Sequence, residues 1–270
     1  MLFLLKLLLV PSLIALVTLA GRRWGPAIAG WLSAFPIVAG PILLAITLEQ
    51  GPGFAALAAA NTLNAVLAIL VFSIAYARSA RHGMPRAMAT ALLAYAASVV
   101  VLQAVTLPLW AGFVLVVAGL LAAPTLFGPA PQQAGTGGKP ANDLPWRMLA
   151  GAVLSLSVTY AAASLGPRLS GLFAMFPVMS TVLVGFSHRA NGPGFAVALL
   201  RGMITGYYAF AVFCVTLSLL LRDGAAGRAF LLATGAALAV QLAMKWWMGR
   251  RQSARALRAA ACQGARPGLE

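Results

Sequence analysis

Nine stretches of this chain are each long enough and apolar enough to cross a bilayer, and little but a membrane bundle can be built from them. They fall at approximately 3–20, 26–48, 53–77, 87–106, 109–127, 146–165, 167–187, 194–221 and 228–248. About 20 helical residues span the hydrocarbon core, and a helix satisfies its own backbone groups where water is absent. The charged fraction is 9% against 61% hydrophobic, too little polar surface to coat a soluble domain of 270 residues. The expected fold class is an all-α polytopic membrane protein. The run at Met1–Ala20 has features of a signal peptide, but a counterpart in the second half favours a retained helix.

That counterpart belongs to an internal repeat. Gly25-Pro26, Gly30 and Phe35-Pro36 recur as Gly166-Pro167, Gly171 and Phe176-Pro177, and Gly51-Pro52-Gly53-Phe54 recurs as Gly192-Pro193-Gly194-Phe195. All pairs share one offset of 141 residues, which also aligns Lys6 with Arg147 and Val17-Thr18 with Val158-Thr159. Chance matches among Ala, Leu and Val are common in apolar sequence, whereas Gly-Pro-Gly-Phe and Phe-Pro at a common offset are not. The organisation read from this is a four-helix repeat at 1–106, a linker helix and loop at 107–145, a second repeat at 146–248 and a basic tail at 249–270.

The net charge of +15 is distributed by side. With nine crossings, fourteen basic residues, among them Arg22, Arg23, Arg78, Arg81, Arg86, Arg147, Arg189 and the tail, face one side, and four face the other. The positive-inside rule then puts the N-terminus outside and the C-terminus in the cytoplasm. The unpaired fifth helix turns the second copy over. Aligned loops agree: Arg22-Arg23 matches Ala163-Ser164, and Leu48-Glu49 matches Arg189-Ala190. The expected architecture is nine transmembrane helices arranged as 4+1+4 with inverted-topology repeats, a recurring plan of secondary transporters.

Pro36 and Pro177 lie near the middle of matched helices, where proline removes a donor and clashes with the preceding turn. The freed carbonyls need protein or a water-filled cavity. A symmetric pair of breaks points to a central substrate site, and the other reading is a kink that serves packing. The candidate binding residues are Ser33, Phe35, Pro36, Phe176, Pro177, Ser180, Thr181 and Arg201, with Pro41 beside the first break. Arg201 has a second reading, snorkelling to headgroups. Lys6 and Arg147 either snorkel or line opposite mouths of one pathway. Asn61, Asn64, Gln103, Tyr160, Tyr207, Tyr208 and Gln241 are read first as bonds between helices.

Other chemistry finds little support. No carboxylate stands mid-helix, so a carboxylate proton relay is not expected. His82 and His188 are read as loop residues without ligand-spaced partners, and no hydrolase or zinc motif occurs. Gly137-Gly138-Lys139 fails as a phosphate loop, because Pro140 stands where Ser or Thr is needed. Cys214 and Cys262 form no framework. Neither enzyme activity, a metal nor a cofactor is expected. Arg251, Arg255 and Arg258 in the tail suit anionic lipid headgroups.

Lys6 before a leucine-rich helix, basic residues after it, and then Gly-x4-Phe-Pro (Gly30 to Pro36) resemble the small GlpM-type bacterial inner-membrane proteins. Each half, 1–106 and 142–248, corresponds to one such four-helix unit, with Arg147 in place of the lysine. The resemblance implies a bacterial inner-membrane protein and transfers no activity. The expected function is a secondary transporter or exporter of a small solute, with an anion favoured; the alternative is a non-catalytic membrane partner or assembly factor of an envelope system. Expected partners are the substrate and anionic lipids, with a homo-oligomer allowed and nucleic acid not expected.

Overall fold

The computed structural model describes residues 2–105, 107–129, 143–164 and 176–264, and these are all-helical. The helices are α1 (Leu2–Trp24), α2 (Pro26–Ser33), α3 (Ala39–Gln50), α4 (Pro52–Ser79), α5 (Met84–Ala104), α6 (Leu109–Leu126), α7 (Leu144–Ser164), α8 (Val178–Leu220) and α9 (Ala226–Gly264). Gly166, Pro167 and Gly171 of the sequence motif lie outside the described residues, as do Lys139, the side chain of Lys6 and those of Arg251, Arg255 and Arg258 in the tail.

Five helical segments among the described residues are long and apolar enough to cross a membrane: Pro52–His82, Met84–Ala104, Leu109–Leu126, Val178–Leu220 and Ala226–Trp246. Nine such runs were expected. Within the described residues the run at 26–48 is divided into the short helices α2 and α3, and α8 counts once although Gly192 interrupts it; the runs at 3–20, 146–165 and 167–187 each lie partly outside the residues whose side chains are described. Leu93, Val101, Trp110, Leu121, Leu231 and Leu242 are exposed. Outward-facing apolar side chains on this scale suit contact with lipid rather than water.

α4 and α8 form the interior. Phe72 and Tyr76 of α4 pack into one core with Leu199, Leu200, Met203, Phe213 and Leu217 of α8. α2 crosses α8 at very short range. A Cβ on Gly30 would collide with the Leu199 carbonyl and come within 2.7 Å of the Met203 nitrogen, and one on Gly202 would collide with the Ala27 carbonyl. Gly206 abuts Trp31 and Ala34. Without a hydrophobic drive between helices in lipid, such small-residue crossings supply packing contact instead.

Main-chain geometry recurs at the sequence offset. Gly51 (φ 87, ψ 164) and Gly192 (φ 84, ψ 174) adopt the same glycine-only conformation, each followed by proline opening a helix. α4 begins at Pro52 and ends at Ser79; the matched stretch of α8 begins at Pro193 and ends at Leu220. A single 3-10 turn follows each, Ala80–His82 and Leu221–Asp223.

α1 and α7 pack antiparallel. Arg22, at the end of α1, pairs with Asp143 at the start of α7, while Val10 and Ile14 meet Gly151 farther along. The end of α4 and the early part of 193–220 likewise share one end of α6: Arg78 Nε donates to the Leu126 carbonyl (2.9 Å), and Arg201 Nη2 donates to that of Gly128 (2.9 Å).

Candidate functional site

The two Phe-Pro breaks have one construction. Proline offers no N–H and so weakens a helix; Pro11 and Pro124 are carried inside α1 and α6, whereas α2 ends before Pro36 and α8 opens directly after Pro177. At the first, the Phe35 carbonyl accepts from Ile37 N (2.7 Å) and the Pro36 carbonyl from Gly40 N (2.8 Å). At the second, the Phe176 carbonyl accepts from Val178 N (2.8 Å) and the Pro177 carbonyl from Thr181 N (2.9 Å). Pro177 has φ −78 and ψ 62, the torsions of an inverse γ-turn. The first break also frees the Trp31 carbonyl, because Phe35 N bonds Leu32 instead. Gln241 Nε2 of α9 reaches in and donates to it at 3.0 Å. This satisfies a backbone group that lipid would leave bare, and it gives Gln241 the interhelical role read from sequence.

Both breaks lean on one wall, residues 199–207 of α8. The first reaches it through Gly30, Trp31 and Ala34. The second reaches it through Ser180, whose hydroxyl lies 3.6 Å from Met203 Sδ and against Tyr207. Of the candidate residues, Ser33 is half-buried and its hydroxyl bonds back to the Gly30 carbonyl (2.8 Å). Phe35 packs against the core, and Pro36 and Pro177 are buried. Phe176 meets Tyr95 edge-to-face at 6.0 Å between centroids. Thr181 keeps a buried hydroxyl with no hydrogen bond among the described residues. Arg201 is not brought to the breaks. It is exposed, caps the end of α6 and lies over the Phe127 ring.

A second polar cluster lies at the basic end, and sequence reading dispersed it. Arg147 is buried and fixed on three sides. Nε and Nη2 donate to Asp143 Oδ2 (2.9 and 2.8 Å), Nη1 donates to Ser187 Oγ (3.1 Å), and the Phe186 ring lies 5.5 Å away. The other oxygen, Asp143 Oδ1, accepts from Arg22 (2.9 Å). Burial raises the Asp143 pKa, but the hydrogen bonds and charges of Arg147 and Arg22 outweigh it and hold the carboxyl below its ordinary range. A cavity of about 60 Å³ adjoins these groups, with Thr18 and Asn191 also in its wall. His188, expected in a loop, is instead a buried residue of α8, because the helix runs on to Gly192; its Nδ1 lies 2.8 Å from Tyr76 Oη. One signal for the cluster was available: Asp143 stands four residues before Arg147, the spacing of a helical ion pair.

No family model, no curated protein and no solved structure matches this chain, so these two sites rest on its own residues.

Proposed function

We propose that the chain is a secondary transporter or exporter of a small solute, with an anion favoured, that moves through a central site between the two Phe-Pro breaks. The observation that carries this reading is the shared construction of the breaks. Two inverse γ-turns occupy equivalent positions 141 residues apart and lean on one wall of α8. Two halves of one design can exchange roles, so inward-open and outward-open states have similar energy.

The reading includes nine crossings arranged as 4+1+4, with the second four-helix copy inverted. The antiparallel packing of α1 on its equivalent α7 supports inversion, as does the gathering of Arg22, Arg78, Arg147 and Arg201 by contacts at one end. By the positive-inside rule that end is cytoplasmic, in a bacterial inner membrane, with the N-terminus outside and the C-terminus inside. The tail meets anionic lipid there. The central binding residues are Ser33, Phe35, Phe176, Ser180 and Thr181 around the two prolines.

Flux into proteoliposomes with a panel of small anions tests the reading. Pro36→Ala and Pro177→Ala should each lower flux more than they lower the yield of folded protein. Equal loss of both would reduce the breaks to packing features. No flux with any solute, together with stable co-purification of an envelope protein, would favour a non-transporting membrane partner.

A further inference from the structure

The cluster at the basic end holds its charges in an uneven way. Arg147 is the deep member, with a side chain only 5% exposed, while the Asp143 carboxylate it grips is 17% exposed. The cation is fixed by Ser187, Phe186 and burial; the anion sits at the mouth, one residue before α7 begins. Two guanidiniums converge on one carboxylate, the donor geometry that binds a free carboxylate.

Thr18 is the second observation. Many helix hydroxyls among the described residues bond the carbonyl four residues back, as in Ser12, Thr47, Thr62, Ser73, Thr90 and Ser98. The Thr18 hydroxyl does not. It is 7% exposed, has no hydrogen-bond partner among the described residues, and lines the cavity beside Arg147 and Ser187. A buried hydroxyl without a partner costs free energy that a ligand oxygen would recover. The volume of about 60 Å³ admits only a few water-sized groups.

We infer that this cavity is a binding site for a small carboxylate, which competes with Asp143 for Arg147 and Arg22 and takes a further hydrogen bond from Thr18. Asp143 is then a tethered occupant that a free acid displaces. The inference shares with the transport reading only the sign of the solute's charge. Its test reads binding rather than flux, so the two can fail separately.

The experiment is thermal unfolding of the full chain in zwitterionic detergent, titrated with acetate against chloride at constant ionic strength. Wild type should show a saturable rise in Tm. Asp143→Ala removes the competitor and should tighten the apparent Kd about tenfold or more. Arg147→Lys keeps the charge but loses the fork, and should weaken binding clearly; Thr18→Val should weaken it less. Absence of a saturable shift in wild type and in Asp143→Ala would overturn the inference. So would an unchanged Kd in Arg147→Lys, which decides the matter even where Asp143→Ala does not fold. A parallel arm adds phosphatidylglycerol to the detergent: a shift with that lipid and none with acetate would assign the cavity to a lipid headgroup and overturn the carboxylate.

Discussion

Ala45-Ile46-Thr47 and Phe186-Ser187-His188 stand at equivalent places before the two Gly-Pro turns, on backbones of the same shape. Their chemistry differs completely. Thr47 spends its hydroxyl on its own helix, donating to the Leu43 carbonyl at 2.7 Å. In the second triplet Phe186 lies by the Arg147 guanidinium, Ser187 accepts a hydrogen bond from it, and His188 bonds Tyr76 of α4. The main chain has kept what its turns demand, a glycine at positive φ and a proline to open the next helix. The side chains have followed the end of the bundle they face. One end is knit by polar bonds among α1, α4, α7 and α8, and the equivalent triplet at the other is not.

The largest effect should come from the crossing of α2 on α8. Gly202→Val drives a side chain into the Ala27 carbonyl of α2, with no flexible group to yield. We expect a loss of about 3 kcal/mol or more, read by denaturant titration or as failure to recover folded protein. The matched residue Asn61 is exposed, and Asn61→Val should change stability by no more than about 0.5 kcal/mol. A reversed order would show that the α2–α8 contact is not what holds the halves together.

Next comes the polar end. Arg147→Gln should cost about 2 kcal/mol, less than the roughly 3–5 kcal/mol of a fully buried pair, because Asp143 keeps Arg22. Arg22 is one-third exposed (33%), and Arg22→Gln should cost under about 1 kcal/mol. The pH dependence has a definite sign. A carboxyl whose pKa is depressed on folding contributes its stability above the unfolded value and loses it as pH falls through the folded value. The clasp should therefore hold unchanged from about pH 8 to about pH 5 and fail only below about pH 4. Thermal unfolding across that range checks it.

The smallest effect separates the two triplets directly. Tyr76→Phe removes a bond between helices and should cost about 1 kcal/mol. Thr47→Val removes only a bond back to its own helix and should cost less than about half that.

Much of the fold was legible because the features that make it are local. A run of apolar residues, a proline without a donor and a glycine before a proline each act through their own backbone. Pro36 therefore breaks its helix where the sequence says, α8 opens directly after Pro177, and the turns at Gly51 and Gly192 fall where the motif recurs. What could not be read was which side chains meet. His188 looked like a loop residue because Arg189 and Gly192 follow it, yet α8 runs on and buries it against Tyr76. Arg201 read as a charge inside its helix that could serve the site or snorkel, but its reach to the Gly128 carbonyl depends on where α6 ends in space. Asp143 was lost in a Gly- and Pro-rich loop, although its spacing to Arg147 was visible.

In the proposed inverted arrangement the two Gly-Pro turns lie on opposite sides of the membrane. Gln50 and Asn191 flank those turns at equivalent positions, and both are exposed. Single cysteines placed there, in a background carrying Cys214→Ser and Cys262→Ser, can be challenged in intact cells with a membrane-impermeant thiol reagent. We expect the cysteine at 50 to label from outside and the one at 191 only after permeabilisation. Labelling of both from the same side would contradict the inversion, and with it the meeting of the two Phe-Pro breaks in one site.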